Sequence, residues 1–337
     1  MPIVTWSETF PPKPVYTVKD MPDQSGRVFI VTGGASGCGY ETAKILYNLN
    51  GRVYIAGRSI ANGKAAMEKI KSSSPPAEQK VRSGKGSIEF LRVDLADLTT
   101  IKLCAEEFLS KETRLDVIWH NAGVLGIEHG SKTTQGFEAH LGTNALGPFL
   151  LQHFLMPICL KTAARADAKP NATRVIWVTS AGHRGAPKPD GVNWDDINMH
   201  DIEGIKGGML KYGQSKTMNV MHAHEIARRY GKQGLVSVAL HPGSLKTNLQ
   251  RHQGFFFKNL TAPLLYPQIY GAYTELWAGL NEEVDTRMLE DGGKNGAYVQ
   301  PWGRWGEGAE FVYEGLAKRE TGERLWKLCE TTLKEWM

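Results

Sequence analysis

A doubly wound α/β fold built on a parallel sheet is what this sequence predicts, and three observations carry that expectation. The first is a strand, a glycine turn and a helix in direct succession. Residues 28–31 are an apolar run of β-formers, the pattern of a strand buried on both faces. Gly33, Gly37 and Gly39 follow in a G-x-x-x-G-x-G spacing, and Ala43, Leu46, Tyr47 and Leu49 then share one helical stripe. The second observation is the alternation of short apolar strands with helical patterns as far as residue 240, which implies right-handed crossovers. The third is bulk: 337 residues, 41% of them hydrophobic, suit one large α/β domain or two small ones and exclude global disorder.

Taken in order, residues 1–26 carry Pro2, Pro11, Pro12, Pro14 and Pro22 and read as an extended arm, with Trp6, Phe10 and Tyr16 packing on the body. After the first strand and helix, residues 52–56 form the second strand and 61–71 the next helix. Residues 72–86, rich in Ser, Pro, Lys and Gly, are a solvated loop. A third strand at 87–93, a helix at 99–109 and a fourth strand at 115–119 follow. The pattern then predicts a long helix over 134–160, tolerating Gly142 and Gly147. Residues 174–179 are the fifth strand, 181–208 a polar surface insertion, 209–230 a helix and 235–240 the sixth strand. Beyond His241 the pattern loosens into an aromatic, proline-rich segment at 254–270. One more strand is expected at 297–300, and the tail from 307 to 337 is helical, with Leu325, Leu328, Cys329, Leu333 and Trp336 on one side.

The net charge of +5 is mild and the basic residues are scattered, so no nucleic-acid stripe is present. Cys38, Cys104, Cys159 and Cys329 form no C-x-x-C pair, which points to free thiols in a reducing compartment. No signal pattern and no run of 18 apolar residues occurs, and a cytoplasmic location is the expectation. The Asn171 sequon is irrelevant there. A metal is disfavoured: His222 and His224, two apart on a helix, diverge.

Four features carry chemistry. A glycine turn feeding a helix N-terminus lets the backbone approach a pyrophosphate and offers it free N–H groups. Tyr212 and Lys216, four apart, share a helix face, where a lysine charge would pull a phenol's pKa toward neutrality. Ser180 ends the fifth strand, placing a hydroxyl where negative charge can develop on a substrate oxygen; a serine that merely caps a turn is the alternative. Asn121, Ala122 and Gly123 form a tight turn after the fourth strand. Asn144 sits among apolar helical neighbours and needs a reason, such as holding a water or bonding the backbone.

These motifs, in this order over residues 27–247, make the chain resemble the short-chain dehydrogenase/reductase family, and most closely a fungal-type member of its retinol-dehydrogenase-like branch. The resemblance implies a Rossmann-type sheet in one domain over 27–300, with the arm before it and a helical, substrate-covering extension over 301–337. It implies that Tyr212 is the general acid/base, that Lys216 holds the nicotinamide ribose, that Ser180 orients the substrate oxygen and that Asn144 supports a proton-relay water. Gly33, Ser36, Gly37, Cys38 and Gly39 would line the cofactor phosphates, with Asn121, Ala122 and Gly123 in the cleft. Asp94 and Leu95 would meet the adenine, and Pro242, Gly243 and Thr247 would close over the nicotinamide. The separation of Ser180 from Tyr212 exceeds that of compact members because of the 181–208 insertion, as in retinol dehydrogenases and carbonyl reductases. That insertion leaves the oligomeric state open.

Cofactor choice is read from the second strand, which ends Ala56-Gly57-Arg58-Ser59 with no acid before Glu68. An acid there would accept a ribose 2′-hydroxyl; Arg58 instead suits a 2′-phosphate, so NADP(H) is expected. The substrate is expected to be an apolar small molecule carrying a carbonyl or alcohol. Phe255, Phe256 and Phe257, with Leu260, Leu264, Leu265 and Tyr266, suggest an apolar lid, since they follow Thr247; plain core and peripheral membrane contact are the alternatives, the latter disfavoured because no basic amphipathic face accompanies them. The rival readings are an NAD-dependent alcohol dehydrogenase and a dinucleotide-binding regulator without turnover.

Overall fold

Eight strands form one sheet in the order β3-β2-β1-β4-β5-β6-β7-β8 in the computed structural model, which describes residues 4–84, 86–246, 265–288 and 291–337. β1 (Val28–Thr32), β2 (Arg52–Gly57), β3 (Ser87–Arg92), β4 (Val117–His120), β5 (Thr173–Val178), β6 (Leu235–Leu240) and β7 (Tyr298–Gln300) are all parallel. β8 (Arg304–Gly306) pairs antiparallel with β7 and carries the sheet past residue 300. Every residue of β1, β4, β5 and β6 is buried, as expected of strands covered by helices on both faces. Strand order reverses between β1 and β4, and the carboxyl ends of those strands flank the crevice where doubly wound sheets bind ligands.

The helices differ from the sequence reading in instructive ways. After a single turn at α1 (Trp6–Thr9), α2 (Gly37–Asn48), α3 (Ile60–Lys71) and α4 (Thr99–Lys111) lie where periodicity puts them. The long helix does not begin at residue 134. Gly136 sits at φ +84°, closing a turn in which Lys132 bridges Glu138, and the Glu138 carboxylate then caps the helix by accepting the Leu141 N–H at 2.8 Å. Three helical residues (α5, Ala139–Leu141), a π turn (Gly142–Leu146) and α6 (Gly147–Ala163) follow. The 181–208 insertion is not a solvated surface loop. It buries His183, Val192 and Met199, and its last residues already belong to α7 (Gly204–Tyr230).

α8 (Gln268–Leu280) has no counterpart in the sequence reading. Gly271 and Gly279 depress helix propensity, yet their missing side chains are what let α8 approach the core. A Cβ on Gly279 would lie 2.1 Å from the Trp119 ring, and one on Gly271 2.8 Å from the Cys38 sulfur. The helical tail divides into α9 (Glu310–Arg319) and α10 (Thr321–Leu333) at Glu320, whose φ is +50°. Leu325, Cys329 and Leu333 are buried as the stripe implies. In the arm, Tyr16 is buried, but Trp6 is 79% and Phe10 46% exposed; they pack on each other with ring centroids 4.5 Å apart. The arm also buries the carboxylate of Glu8. The expected lid, apart from Leu265 and Tyr266, lies outside the described residues.

Candidate active site

The carboxyl end of β5 and the first half of α7 are clamped together. The Thr179 hydroxyl donates to the Lys216 carbonyl at 2.6 Å, and the Val178 carbonyl accepts from Lys216 Nζ at 2.9 Å and from Asn219 Nδ2 at 3.2 Å. This clamp sets Ser180 beside Tyr212: a Cβ on Gly182 would lie 3.0 Å from the Tyr212 ring and 3.4 Å from Ser180 Oγ. Burial pushes the Tyr212 phenol up, and the neighbouring Ser180 hydroxyl pulls it partly back. Burial alone pushes the Lys216 ammonium down to about 8. Its Nζ lies 5.9 Å from the centre of the Tyr212 ring. A phenol and a hydroxyl side by side, with an ammonium behind the phenol, are the equipment for moving a proton to or from a substrate oxygen.

Asn144 answers the question its position raised. It lies in the π turn, a feature that leaves a helix carbonyl without its usual partner. Its Oδ1 accepts the Val124 N–H at 2.8 Å, and its Nδ2 donates to the Val124 carbonyl at 3.1 Å and to Ser215 Oγ at 3.0 Å. The side chain therefore bonds backbone and α7 together and is already satisfied. Gly123 closes the group: a Cβ there would come within 3.1 Å of Asn144 Oδ1 and 3.2 Å of Lys216 Nζ.

Across the crevice, Gly33 and Gly37 take φ values of +70° and +63°, conformations that a side chain would strain. The side chain of Asn121 donates to the Thr32 carbonyl at 2.8 Å, and the Ala122 N–H donates to Thr32 Oγ1 at 3.0 Å, so the β4 turn is tied to β1. Gly39 makes room for that tie, since a Cβ would meet Asn121 Nδ2 at 2.4 Å. Ser36 is extended and makes no side-chain cap on α2, leaving the first N–H groups of the helix free for an anion. The Cys38 side chain turns the other way, toward α8, where burial and then Glu275 raise its thiol well above the ordinary value.

Arg58 is exposed at the end of β2 and joins no ion pair among the described residues, while Ser59 is engaged as a cap, accepting the Asn62 N–H at 3.2 Å. Asp94 folds back to accept the Ala96 N–H at 3.0 Å, and Leu95 is buried against Gly147. Gly243, at φ +97°, packs under Trp302, next to Pro242. Thr247 lies outside the described residues.

Several neighbours escaped the sequence reading. Thr32 and Ser215 sit inside the recognised motifs, where their hydroxyls are the only signal. His140 lies edge-on to Tyr212 with centroids 5.9 Å apart, and its Nδ1 meets Glu138 at 2.8 Å. A cavity of about 90 Å³ beside it is lined by His129, Lys132, His200 and Lys211 together with Ile127 and several glycines. Among the described residues no group of three or more His, Cys, Asp or Glu could hold a metal, and no helix is long and apolar enough to cross a membrane.

The short chain dehydrogenase profile matches residues 27–187. A Phomopsis amygdali protein named short-chain dehydrogenase/reductase is 39% identical over 98% of this chain and 97% of its own. An uncharacterized oxidoreductase of Schizosaccharomyces pombe is 33% identical over 85% of this chain and 80% of its own. Among solved structures, a Mycobacterium paratuberculosis protein of unassigned function superposes with a TM-score of 0.64 at 25% identity, covering 95% of this chain and 97% of that one. A Brucella melitensis 3-ketoacyl-(acyl-carrier-protein) reductase complexed with NADH shares the fold at a TM-score of 0.58 and 17% identity, covering 83% of this chain and 98% of that one.

Proposed function

The chain belongs to the short-chain dehydrogenase/reductase family, and on that premise we propose that it transfers a hydride between NADP(H) and a carbonyl or alcohol, with Tyr212 as general acid/base. The observation that carries this reading is the meeting of Ser180, Tyr212 and Lys216 beside an uncapped helix N-terminus. The crevice fits a dinucleotide. The backbone of residues 33–39 would hold its phosphates, Arg58 a 2′-phosphate, Asn121 to Gly123 the cleft wall and Lys216 a ribose. The cofactor supplies or accepts the hydride. Ser180 hydrogen-bonds the substrate oxygen as charge develops on it, and Tyr212 passes that oxygen its phenolic proton. Lys216 stabilises the phenolate left behind, and Asn144 keeps the π turn in register with α7. Oxidation of an alcohol runs the same steps in reverse.

Tyr212→Phe tests the reading. It keeps the ring and loses the proton, so turnover should fall by about 10²–10⁴ while NADPH affinity barely changes. Near-wild-type turnover by this variant would remove the mechanism.

A further inference from the structure

We infer that Glu8, on the N-terminal arm, is a positioning residue for Ser180: it enters the catalytic face of the sheet as a buried carboxylate and locks the turn that Ser180 opens. The turn is the five-residue 3-10 segment Ala181–Gly185, with Ser180 as its cap; Ser180 Oγ accepts the Gly182 N–H at 3.1 Å. Its last residues are bonded in three directions. The Arg184 guanidinium donates through Nη1 to both Glu8 oxygens at 2.7 and 3.0 Å and through Nη2 to the Glu307 carbonyl at 2.6 Å. The His183 ring accepts the Ala309 N–H at Nε2, 2.9 Å, which leaves Nδ1 to donate to the Ser180 carbonyl at 2.6 Å. The His183 carbonyl accepts from Thr217 on α7 at 3.2 Å.

The Glu8 side chain is fully buried and every contact it makes is charge-assisted. The Tyr298 hydroxyl donates to Oε1 at 2.7 Å, and the Thr5 N–H and hydroxyl donate to Oε2 at 3.1 and 2.9 Å. Burial works to raise this carboxyl, but His241, Tyr298, Arg184 and the Thr5 N–H together hold it below the ordinary value. A buried carboxylate is retained only where it is paired, and removing one partner strands the other charge. Without Glu8, Arg184 loses its only carboxylate partner among the described residues. The turn must then open to hydrate the guanidinium, and Ser180 moves with it. A misplacement of about 1 Å at a reacting group costs on the order of a hundredfold in rate. The arm is thus part of the site's framework rather than a tether.

The inference rests on Ser180 orienting the substrate oxygen, and the test separates the two. In full-length protein, Glu8→Ala and Glu8→Gln are compared with wild type by hydrogen exchange without substrate, by NADPH titration, and by turnover of 4-nitrobenzaldehyde with NADPH. Expected is faster exchange in 180–186 by about tenfold or more, with residues 33–39 unchanged. NADPH affinity should stay within about twofold, kcat should fall roughly ten- to a hundredfold, and Glu8→Asp should recover part of the loss. Unchanged exchange in 180–186, or an equal rise throughout the chain, overturns the inference; Glu8→Gln, isosteric and neutral, supplies that comparison if Glu8→Ala does not fold. Absence of wild-type turnover would count against the proposed reaction and leave the exchange data to decide the role of Glu8.

Discussion

Among the described residues Arg58 has no acidic partner at the end of β2, so its substitution reports directly on cofactor choice. A hydrogen bond to a charged group contributes about 1.5–3 kcal/mol, and ~1.4 kcal/mol is tenfold in affinity. Arg58→Ala should therefore weaken NADPH binding roughly ten- to a hundredfold and leave NADH binding nearly unchanged; equal losses for both cofactors would show that Arg58 does not read the phosphate. Lys216 makes a second prediction, this one in pH. Burial holds its ammonium at about 8, so its charge is present below that pH and lost above it. Tyr212, pushed up by burial, keeps its proton over the same range. In carbonyl reduction both are needed, so kcat/KM should hold level up to about pH 8 and fall roughly tenfold per unit beyond. In Lys216→Arg the decline should disappear, because a guanidinium does not titrate there. A wild-type profile still rising at pH 9 would contradict the assignment. These residues were legible because their motifs are local: Tyr212 with Lys216 is one helical turn, and residues 33–39 are one loop.

The elements show where local signals stop. α2 and α4 carry clean apolar stripes and lie where those stripes put them. α8 was hidden because Gly271 and Gly279 count against a helix by propensity and for one only through their contacts with Cys38 and Trp119. The early start given to the long helix ignored Gly136, whose φ of +84° no helix accepts. The break between α9 and α10 gives a prediction at this scale. Glu320 holds φ +50°, a conformation that costs a residue with a Cβ about 1–2 kcal/mol. Glu320→Gly removes that cost and adds unfolded-chain entropy of about 0.4–1 kcal/mol against it, for a net gain of about 0 to 1.6 kcal/mol. Urea unfolding of the two proteins at one pH measures the difference, and a destabilised variant would mean that the Glu320 side chain contributes more than its strain costs.

Across the whole molecule, buried polar groups that bond one another are drawn from distant parts of the chain, which is why no reading of spacing found them. Glu275 on α8 accepts the Thr42 hydroxyl of α2 at 2.6 Å, and burial raises its pKa to about 7. The folded protein then keeps a proton that the unfolded chain releases near the usual 4.5, so this group's contribution to stability is complete below about pH 4.5 and drains away as pH rises through 7, by on the order of 3 kcal/mol. Glu275→Gln should flatten that part of the profile; urea midpoints at pH 5 and pH 8 that shift identically in both proteins would exclude it. The pairing of Glu8 with Tyr298 spans 290 positions, and that separation also sets a clock. A ribosome adding roughly 5–20 residues each second makes Glu8 some 15–60 s before Tyr298 exists. Through that interval the nascent arm can offer its carboxylate to Thr5 and, once made, to Arg184, but the seat that Tyr298 completes does not yet exist, and the Ser180 turn, already synthesised, must wait for both ends of the polypeptide to meet across the finished sheet.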